Sequence, residues 1–259
     1  FKLAPFVVGI YESEWQRIDH ELAHMVEHYF NEGGTEGLMR PHPALHRVAP
    51  AQNALSKDVI LPYDDIKSLI ERSEAFELRD CICRKKRDLL SDRKCDFTLK
   101  ACLVLLPMKV SAQPFHISKE EALKVLDMTE EEGLVHTVTN VAKGVYYVCN
   151  CCACCCDVMS GIIKHGIEHS LAKANYYAVV NESACNVCGI CEKRCHVKAI
   201  KMNDTAVIDR SACIGCGLCV TGCPEKAVKL EKKSDKEIKD PPATKKEWDE
   251  IRRKDRGMT

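Results

Sequence analysis

The sequence predicts an α+β protein in which a region of mixed helices and strands precedes a compact, cysteine-rich module. Two observations support this prediction. Between residues 61 and 178, segments with apolar residues at helical spacing alternate with short β-prone runs. All 18 cysteines follow residue 80, and they fall into four tight arrays. In a long and highly charged chain this crowding indicates metal or cluster ligands, not a disulfide framework.

The composition excludes several classes of function. Basic and acidic residues are equal at 38 each, and this zero net charge argues against a nucleic-acid partner. The longest apolar stretch, 101–108, is too short to span a bilayer. We find no dinucleotide, P-loop or flavin motif and no nucleophile–base set. The many thiols predict a reducing, cytoplasmic location, because exposed thiolates and clusters oxidise readily.

The middle of the chain has the pattern of a small helix-and-strand domain. Ser118 and Glu121 predict a capped helix over 119–132 that ends at Gly133. The runs 134–139 and 145–148 predict a hairpin, and apolar spacing over 63–75 predicts a helix followed by an extended segment, 76–80. Helix, strand, helix and hairpin is the order of a winged-helix domain. We assign such a domain to residues 61–178.

The flanking regions are simpler. Residues 1–60 are predicted to be a helical segment whose main feature is an amphipathic helix over 14–30. Residues 233–259 form a charged tail with a short helix that carries Trp248 and Ile251. This tail is predicted to be either a solvated extension or an arm that docks into a partner's groove.

The most specific motif is a duplication near the C-terminus. Its first copy, Cys185-x2-Cys188-x2-Cys191-x3-Cys195, recurs 28 residues later as Cys213-x2-Cys216-x2-Cys219-x3-Cys223. Three cysteines at two-residue gaps can face one cluster, whereas the fourth lies too far round and faces another. Pro224 follows the second copy, but His196 follows the first, and we interpret this histidine as an exposed turn residue.

This duplicated unit, at residues 179–232, resembles the bacterial ferredoxins that hold two 4Fe–4S clusters. The resemblance implies a two-cluster ferredoxin-like domain. It also implies that one cluster is held by Cys185, Cys188, Cys191 and Cys223, and the other by Cys213, Cys216, Cys219 and Cys195.

Ten further cysteines lie upstream in two arrays, and both follow predicted β-elements. The first array consists of Cys81, Cys83, Cys95 and Cys102, and the second of Cys149, Cys151, Cys152, Cys154, Cys155 and Cys156. Alternate residues of an extended backbone share a face, so Cys81 and Cys83 are expected to point at one metal. Pairing of strand and hairpin would bring both arrays to one end of the sheet. The sequence therefore predicts a metal site there.

The division of these ten ligands stays open. Our preferred partition places one 4Fe–4S cluster on the first array and another on four cysteines of the second. The alternatives are a larger, non-cubane cluster with ligands from both arrays, zinc on the first array, and a redox-active disulfide within the second. Arg84 would add positive charge beside an anionic cluster, unless it is an ordinary surface residue.

The order of C-x-C-R, C-N-C-C-x-C-C-C and the duplicated module resembles multi-cluster ferredoxin-like proteins of anaerobic bacteria and archaea. It implies an iron–sulfur protein, with two 4Fe–4S clusters in the module and one or two more upstream. We expect a non-catalytic subunit that passes low-potential electrons between protein redox partners. The alternatives are a redox-sensing winged-helix regulator, which the acidic helix 119–132 disfavours, and catalytic reduction at an unusual cluster on residues 149–156.

Overall fold

The computed structural model describes residues 6–258, except for the side chains of Val7 and Val8, and it confirms the α+β class. Short π-helical segments lie at Phe6–Ile10 and at Phe30–Gly34, the second of which is kinked at Gly33, and 3-10 turns lie at Glu14–Gln16 and Glu182–Ala184. The helices are α1 (Tyr11–Ser13), α2 (His20–Tyr29), α3 (Thr35–Met39), α4 (Ile66–Arg72), α5 (Ile82–Leu89), α6 (Lys119–Glu132), α7 (Asp157–Ile163), α8 (Ile190–Lys193), α9 (Leu218–Thr221) and α10 (Lys245–Asp255). The strands are β1 (His46–Val48), β2 (Ala75–Asp80), β3 (Lys100–Leu106), β4 (His116–Ile117), β5 (Val135–Thr139), β6 (Tyr147–Cys151), β7 (Leu171–Ala172), β8 (Tyr176–Val180), β9 (Ile200–Met202), β10 (Ala206–Ile208) and β11 (Val228–Lys232).

A seven-stranded sheet organises the first two thirds of the chain. Its strand order is β4-β2-β3-β6-β5-β1-β7, and every pair is antiparallel except β1 with β7. The register places Cys102 on β3 directly opposite Cys149 on β6. Opposed residues on neighbouring strands lie within side-chain contact. Two cysteines that are far apart in sequence therefore become neighbours.

The best local signals in the sequence give the expected elements. Helix α6 begins with a reciprocal capping box between Ser118 and Glu121 and ends at Gly133, whose φ of +91° suits a left-handed C-cap. Strands β5 and β6 form the predicted hairpin. The helix predicted over 63–75 is shorter, since the Asp65 side chain caps α4 by accepting from the Ser68 N–H. Helices α4 and α6 pack over one face of the sheet, around Ile66, Ile70, Phe76, Leu103 and Leu126.

The sheet extends beyond the predicted winged-helix strands. Residues 46–48 of the N-terminal segment add β1 next to the hairpin, and β7 extends the sheet beyond β1. All three residues of β1 are buried. The winged-helix assignment and the domain boundaries stay predictions.

Two local predictions are wrong. The helix over 14–30 is interrupted, because the Asp19 carboxylate accepts a 2.9 Å hydrogen bond from the Leu22 N–H and starts a new helix at His20. Cys81 and Cys83 do not share an extended strand. Strand β2 ends at Asp80, Cys81 is the N-cap of α5, and Cys83 lies in its first turn.

The C-terminal module is built from two small antiparallel pairs, β8 with β11 and β9 with β10. Its short helices α8 and α9 follow Gly189 and Gly217, which have φ values of +73° and +75°. Glycine adopts this left-handed conformation without strain, so each cysteine loop can turn directly into its helix. The repeated sequence therefore folds as a repeated loop-and-helix unit.

The final helix packs back on the chain. Trp248 is 6 % exposed, and its indole N–H donates a 2.9 Å hydrogen bond to the carbonyl of Ala44. Arg252 is also buried, and it donates 2.6 Å hydrogen bonds to the carbonyls of Pro41 and Pro43. Both predictions for the tail are therefore wrong for Trp248, because it anchors α10 to its own N-terminal segment. Within residues 6–258, no helix combines the length and apolar character needed to cross a bilayer.

Candidate metal centre

The cysteines of the C-terminal module surround two separate cavities. The outer cavity is lined by Cys185, Cys188, Cys191 and Cys223, and the inner cavity by Cys195, Cys213, Cys216 and Cys219. The fourth cysteine of each motif thus lies with the first three of the other motif. This is the arrangement that the resemblance to two-cluster ferredoxins implies, and the thiols present fit two such clusters.

The two cavities differ in their exposure. Cys188 of the outer cavity is exposed. The inner cavity lies beside the segment that follows β1, since the Ala51 N–H donates a 2.9 Å hydrogen bond to the carbonyl of Cys216. Burial raises the pKa of the Cys216 thiol to about 12 and raises that of Cys219 as well. The outer cavity therefore faces solvent, and the inner one faces the rest of the chain.

The ten upstream cysteines form two groups, and these groups differ from the preferred partition. Six thiols line one cavity of about 150 Å³. We call it the six-cysteine cavity, and its cysteines are Cys81, Cys83, Cys102, Cys149, Cys151 and Cys156. The other four, which we call the four-cysteine group, are Cys95, Cys152, Cys154 and Cys155.

Four elements, α5, β3, β6 and α7, supply the six-cysteine cavity. The start of α5 provides Cys81 and Cys83, and the β3–β6 pair provides Cys102 and Cys149. The last two cysteines are Cys151, which ends β6, and Cys156, which caps α7 by accepting from the Met159 N–H.

Thiol-to-thiol hydrogen bonds connect these six side chains. A hydrogen bond with Cys83 raises the pKa of Cys81, and one with Cys102 raises the pKa of Cys149. Hydrogen bonds from Cys149 and Cys156 lower the pKa of Cys151. Crowded thiols cannot all ionise together without a compensating cation. The arrangement therefore suits a metal site.

The walls of the cavity carry polar groups that lack protein partners. The His46 ring accepts or donates at Nδ1 across 3.1 Å to Thr137 Oγ1, but its buried Nε2 has no partner. The Tyr11 hydroxyl is also buried without a partner, and both residues line the cavity. Burial lowers the pKa of His46 to about 4. Two neutral hydrogen-bonding groups thus line the cavity, where a bound group could satisfy them.

The four-cysteine group is much tighter. All four Sγ atoms lie within 4.8 Å of one another. The Sγ–Sγ distances are 3.7 Å from Cys95 to Cys155, 3.5 Å from Cys152 to Cys154 and 3.6 Å from Cys154 to Cys155. Such a compact tetrad can hold a metal.

Arg84 lies between the two groups and is fully buried. It donates to the carbonyls of Thr98 at 3.0 Å and Asn150 at 2.7 Å. Its guanidinium also interacts with the Cys152 thiol. A hydrogen bond from Cys155 lowers the pKa of Cys152 to about 5, and the nearby Arg84 charge acts in the same direction. Arg84 is therefore a buried counter-charge and not a surface residue.

The path of residues 90–99 explains why Cys95 leaves the other members of its array. This loop follows α5 and is held near the end of α6, where the Thr98 N–H donates a 3.0 Å hydrogen bond to Glu132. Cys95 therefore meets Cys155 across the loop, whereas Cys102 continues into β3. The split depends on long-range packing that local spacing does not contain.

His196 makes long-range contacts that the sequence does not predict. Its Nδ1 accepts a 3.3 Å hydrogen bond from the N–H of Ala153, which lies between two members of the four-cysteine group. Its Nε2 donates a 2.7 Å hydrogen bond to the carbonyl of Gly133. The exposed-turn interpretation is wrong, because the half-buried ring joins the module to the upstream sites. The absence of proline after Cys195 was the available signal.

Comparison with known proteins supports part of this picture. The family model that matches is described as a 4Fe-4S binding domain, and it covers residues 205–228, which include Cys213, Cys216, Cys219 and Cys223. A search of curated proteins finds no match to the chain. The match and the clustered thiols together support an iron–sulfur, ferredoxin-like module in this chain.

Proposed function

We propose that this protein transfers single low-potential electrons between protein redox partners, and that its C-terminal module holds two 4Fe–4S clusters. When bound, such clusters supply reversible one-electron chemistry. The observation that carries the proposal is the interleaved arrangement of eight cysteines around the outer and inner cavities. A reducing, cytoplasmic setting fits this thiol chemistry.

Contacts within the chain suggest a path for electrons through the molecule. Cys188 brings the outer cavity to the surface, where a partner could approach it. Cys195 of the inner cavity is followed by His196, whose ring accepts a hydrogen bond from Ala153. Ala153 lies one residue from the four-cysteine group, and that group shares neighbouring residues with the six-cysteine cavity. The outer cavity and the six-cysteine cavity are thus the two ends of the series, and the segment around Ala153 holds the module against the six-cysteine cavity without itself carrying electrons.

Redox titration of the full chain, purified without oxygen, tests this function. We expect reversible one-electron steps, with EPR signals from reduced clusters after titration with a low-potential reductant. The double variant Cys188→Ala/Cys223→Ala should lose one set of signals and exchange electrons more slowly with a soluble ferredoxin. A protein without acid-labile sulfide, or one that shows no reversible reduction, would refute the proposal.

A second function, reduction of a small molecule at the six-cysteine cavity, is favoured by one specific observation. The buried Tyr11 hydroxyl and His46 Nε2 line the cavity without protein partners. Six thiols exceed the four ligands of one cubane, so these residues would fit a larger iron–sulfur group. Tyr11 and His46 could then orient a bound molecule by hydrogen bonding.

Small ligands of iron can distinguish the two functions. Carbon monoxide and cyanide should change the EPR spectrum of the reduced protein if a reactive iron site faces the cavity. The variant Tyr11→Phe should keep the iron content but alter that response. Spectra that are insensitive to both ligands would leave electron transfer as the function and argue against reduction in the cavity.

A further inference from the structure

The four-cysteine group has the dimensions of a site for one ion. We propose that Cys95, Cys152, Cys154 and Cys155 bind a single structural zinc ion and not a 4Fe–4S cluster. This inference goes beyond the proposed electron transfer, because zinc has no redox chemistry in proteins. It also replaces the expectation that all upstream cysteines serve iron.

The sulfur–sulfur distances carry the argument. In a tetrahedral zinc site the Zn–S bonds are about 2.3 Å, so the edges of the sulfur tetrahedron are about 3.8 Å. The three closest Sγ pairs are separated by 3.5, 3.6 and 3.7 Å, and no pair exceeds 4.8 Å. In a cubane each cysteine thiolate binds a different iron at a corner of the cube. The four cysteine sulfurs are therefore much farther from one another than the four sulfurs around a single zinc ion.

The same chain provides an internal comparison. Among the residues that the structure describes, the four-cysteine group is the set of His, Cys, Asp or Glu ligand atoms that closes to within 4.8 Å. The cysteines around the outer and inner cavities do not close in this way, although they fit clusters. The thiols of the six-cysteine cavity do not either. The compactness therefore belongs to this tetrad and is not a general property of the cysteine-rich segments.

The surroundings also fit a closed zinc site. Four thiolates and one Zn²⁺ carry a net charge of −2, and two arginines compensate it: Arg84 interacts with Cys152, and Arg93 with Cys95. Cys152 and Cys155 are buried, while Cys95 and Cys154 are half-buried. Four protein sulfurs leave no position for a substrate, as in structural zinc sites. The ion would hold the 90–99 loop against residues 152–155.

Metal analysis of the full chain, prepared anaerobically with iron and zinc both supplied, tests the inference. We expect one zinc per chain besides the iron, and zinc K-edge X-ray absorption should show four sulfur neighbours at about 2.3 Å. Cys95→Ala and Cys155→Ala should lose the zinc and keep the cluster EPR signals of the module. The matched control, Cys188→Ala, should lose iron and keep the zinc.

Three results would overturn the zinc assignment. The first is a wild-type protein that contains no zinc, together with a Cys95→Ala variant that contains about four fewer irons than the wild type, as a cubane requires. The second is a single iron bound in place of zinc. The third is a zinc ion whose absorption spectrum shows nitrogen or oxygen ligands. If Cys95→Ala does not accumulate, the metal count and absorption spectrum of the wild type decide the question alone. None of these results depends on electron-transfer activity.

Discussion

His196 and Ala153 form a hydrogen bond that links the ferredoxin-like module to the upstream cysteine sites. The N–H of Ala153 donates to Nδ1 of His196 at 3.3 Å, while Nε2 lies 2.7 Å from the carbonyl of Gly133. An acceptor Nδ1 and a donor Nε2 require the neutral imidazole with its hydrogen on Nε2. One ring thus fixes both the C-terminal end of α6 and the loop between Cys152 and Cys154.

Replacing His196 should loosen this junction without removing iron. His196→Ala deletes two hydrogen bonds from a half-buried position, so we expect the free energy of unfolding to fall by about 1–3 kcal/mol. Anaerobic denaturant titration, followed by cluster absorbance, measures the loss. The matched control is His165→Ala, since His165 is exposed, and it should change stability by less than about 0.5 kcal/mol. Equal effects of the two variants would contradict the role given to His196.

Arg194 should be the strongest single contact between the module and α6. Its guanidinium donates to the carbonyls of Leu218 at 2.9 Å, Glu130 at 2.7 Å and Glu131 at 3.0 Å. Arg194→Met should lower the free energy of unfolding by about 2–4 kcal/mol, because three carbonyls lose a charged donor. Arg194→Lys should rescue little of the loss, since one ammonium cannot reproduce the planar fork. Full rescue by lysine would show that charge alone matters. Thermal unfolding under argon provides the measurement.

Iron counts of double variants can test which cysteines share a cluster. Cys188→Ala/Cys223→Ala changes two residues of the outer cavity, so it should lose about four irons, no more than either single variant. Cys188→Ala/Cys195→Ala changes one residue in each cavity, so it should lose about eight. Iron and acid-labile sulfide analysis distinguishes these outcomes. The opposite pattern would mean that each motif holds its own cluster.

The stabilisation that Glu130 gives to the fold should be lost in acid. Burial raises the pKa of its carboxyl, but hydrogen bonds from His136 and from the Gln52 and Asn53 N–H groups outweigh burial and leave the pKa below 4.5. A carboxyl whose pKa is lower in the folded than in the unfolded state stabilises the fold at pH values above its unfolded-state pKa. This stabilisation is lost as the pH falls through the folded-state pKa. The stability difference between wild type and Glu130→Gln should therefore shrink below about pH 4.5.

The test compares the free energy of unfolding of wild type with that of Glu130→Gln at each pH, because the difference between them cancels the acid sensitivity that the two proteins share. Glu120→Gln is the matched control, because Glu120 lies on the exposed side of the same helix and pairs with Lys124. Its stability difference from wild type should be small across the range. A Glu130→Gln difference that stays constant with pH would contradict the assigned pKa shift.

Local sequence was sufficient for the parts of the fold that local chemistry determines. The capping box at Ser118 and the glycine at 133 define α6 within one stretch of chain, and the cysteine spacing of the module defines its loops. The division of the upstream cysteines was not predictable in this way. Cys102 meets Cys149 through strand register, and Cys95 meets Cys155 through the path of a loop. Both contacts join residues more than 40 positions apart.

The polar groups of the six-cysteine cavity likewise depend on long-range packing. His46 comes from the N-terminal segment and reaches the cavity because β1 pairs with β5. Tyr11 reaches it from α1, which lies even farther from the cysteines in sequence. Neither residue belongs to a motif, so only the three-dimensional packing identifies it.

The seating of Trp248 against Ala44 has a consequence for how the protein matures. Helix α10 secures the segment that leads into β1, and it follows all 18 cysteines along the chain. During synthesis every thiol therefore leaves the ribosome before this brace exists. The N-terminal edge of the sheet therefore gains its contact with Trp248 only after all 18 cysteines have been synthesised.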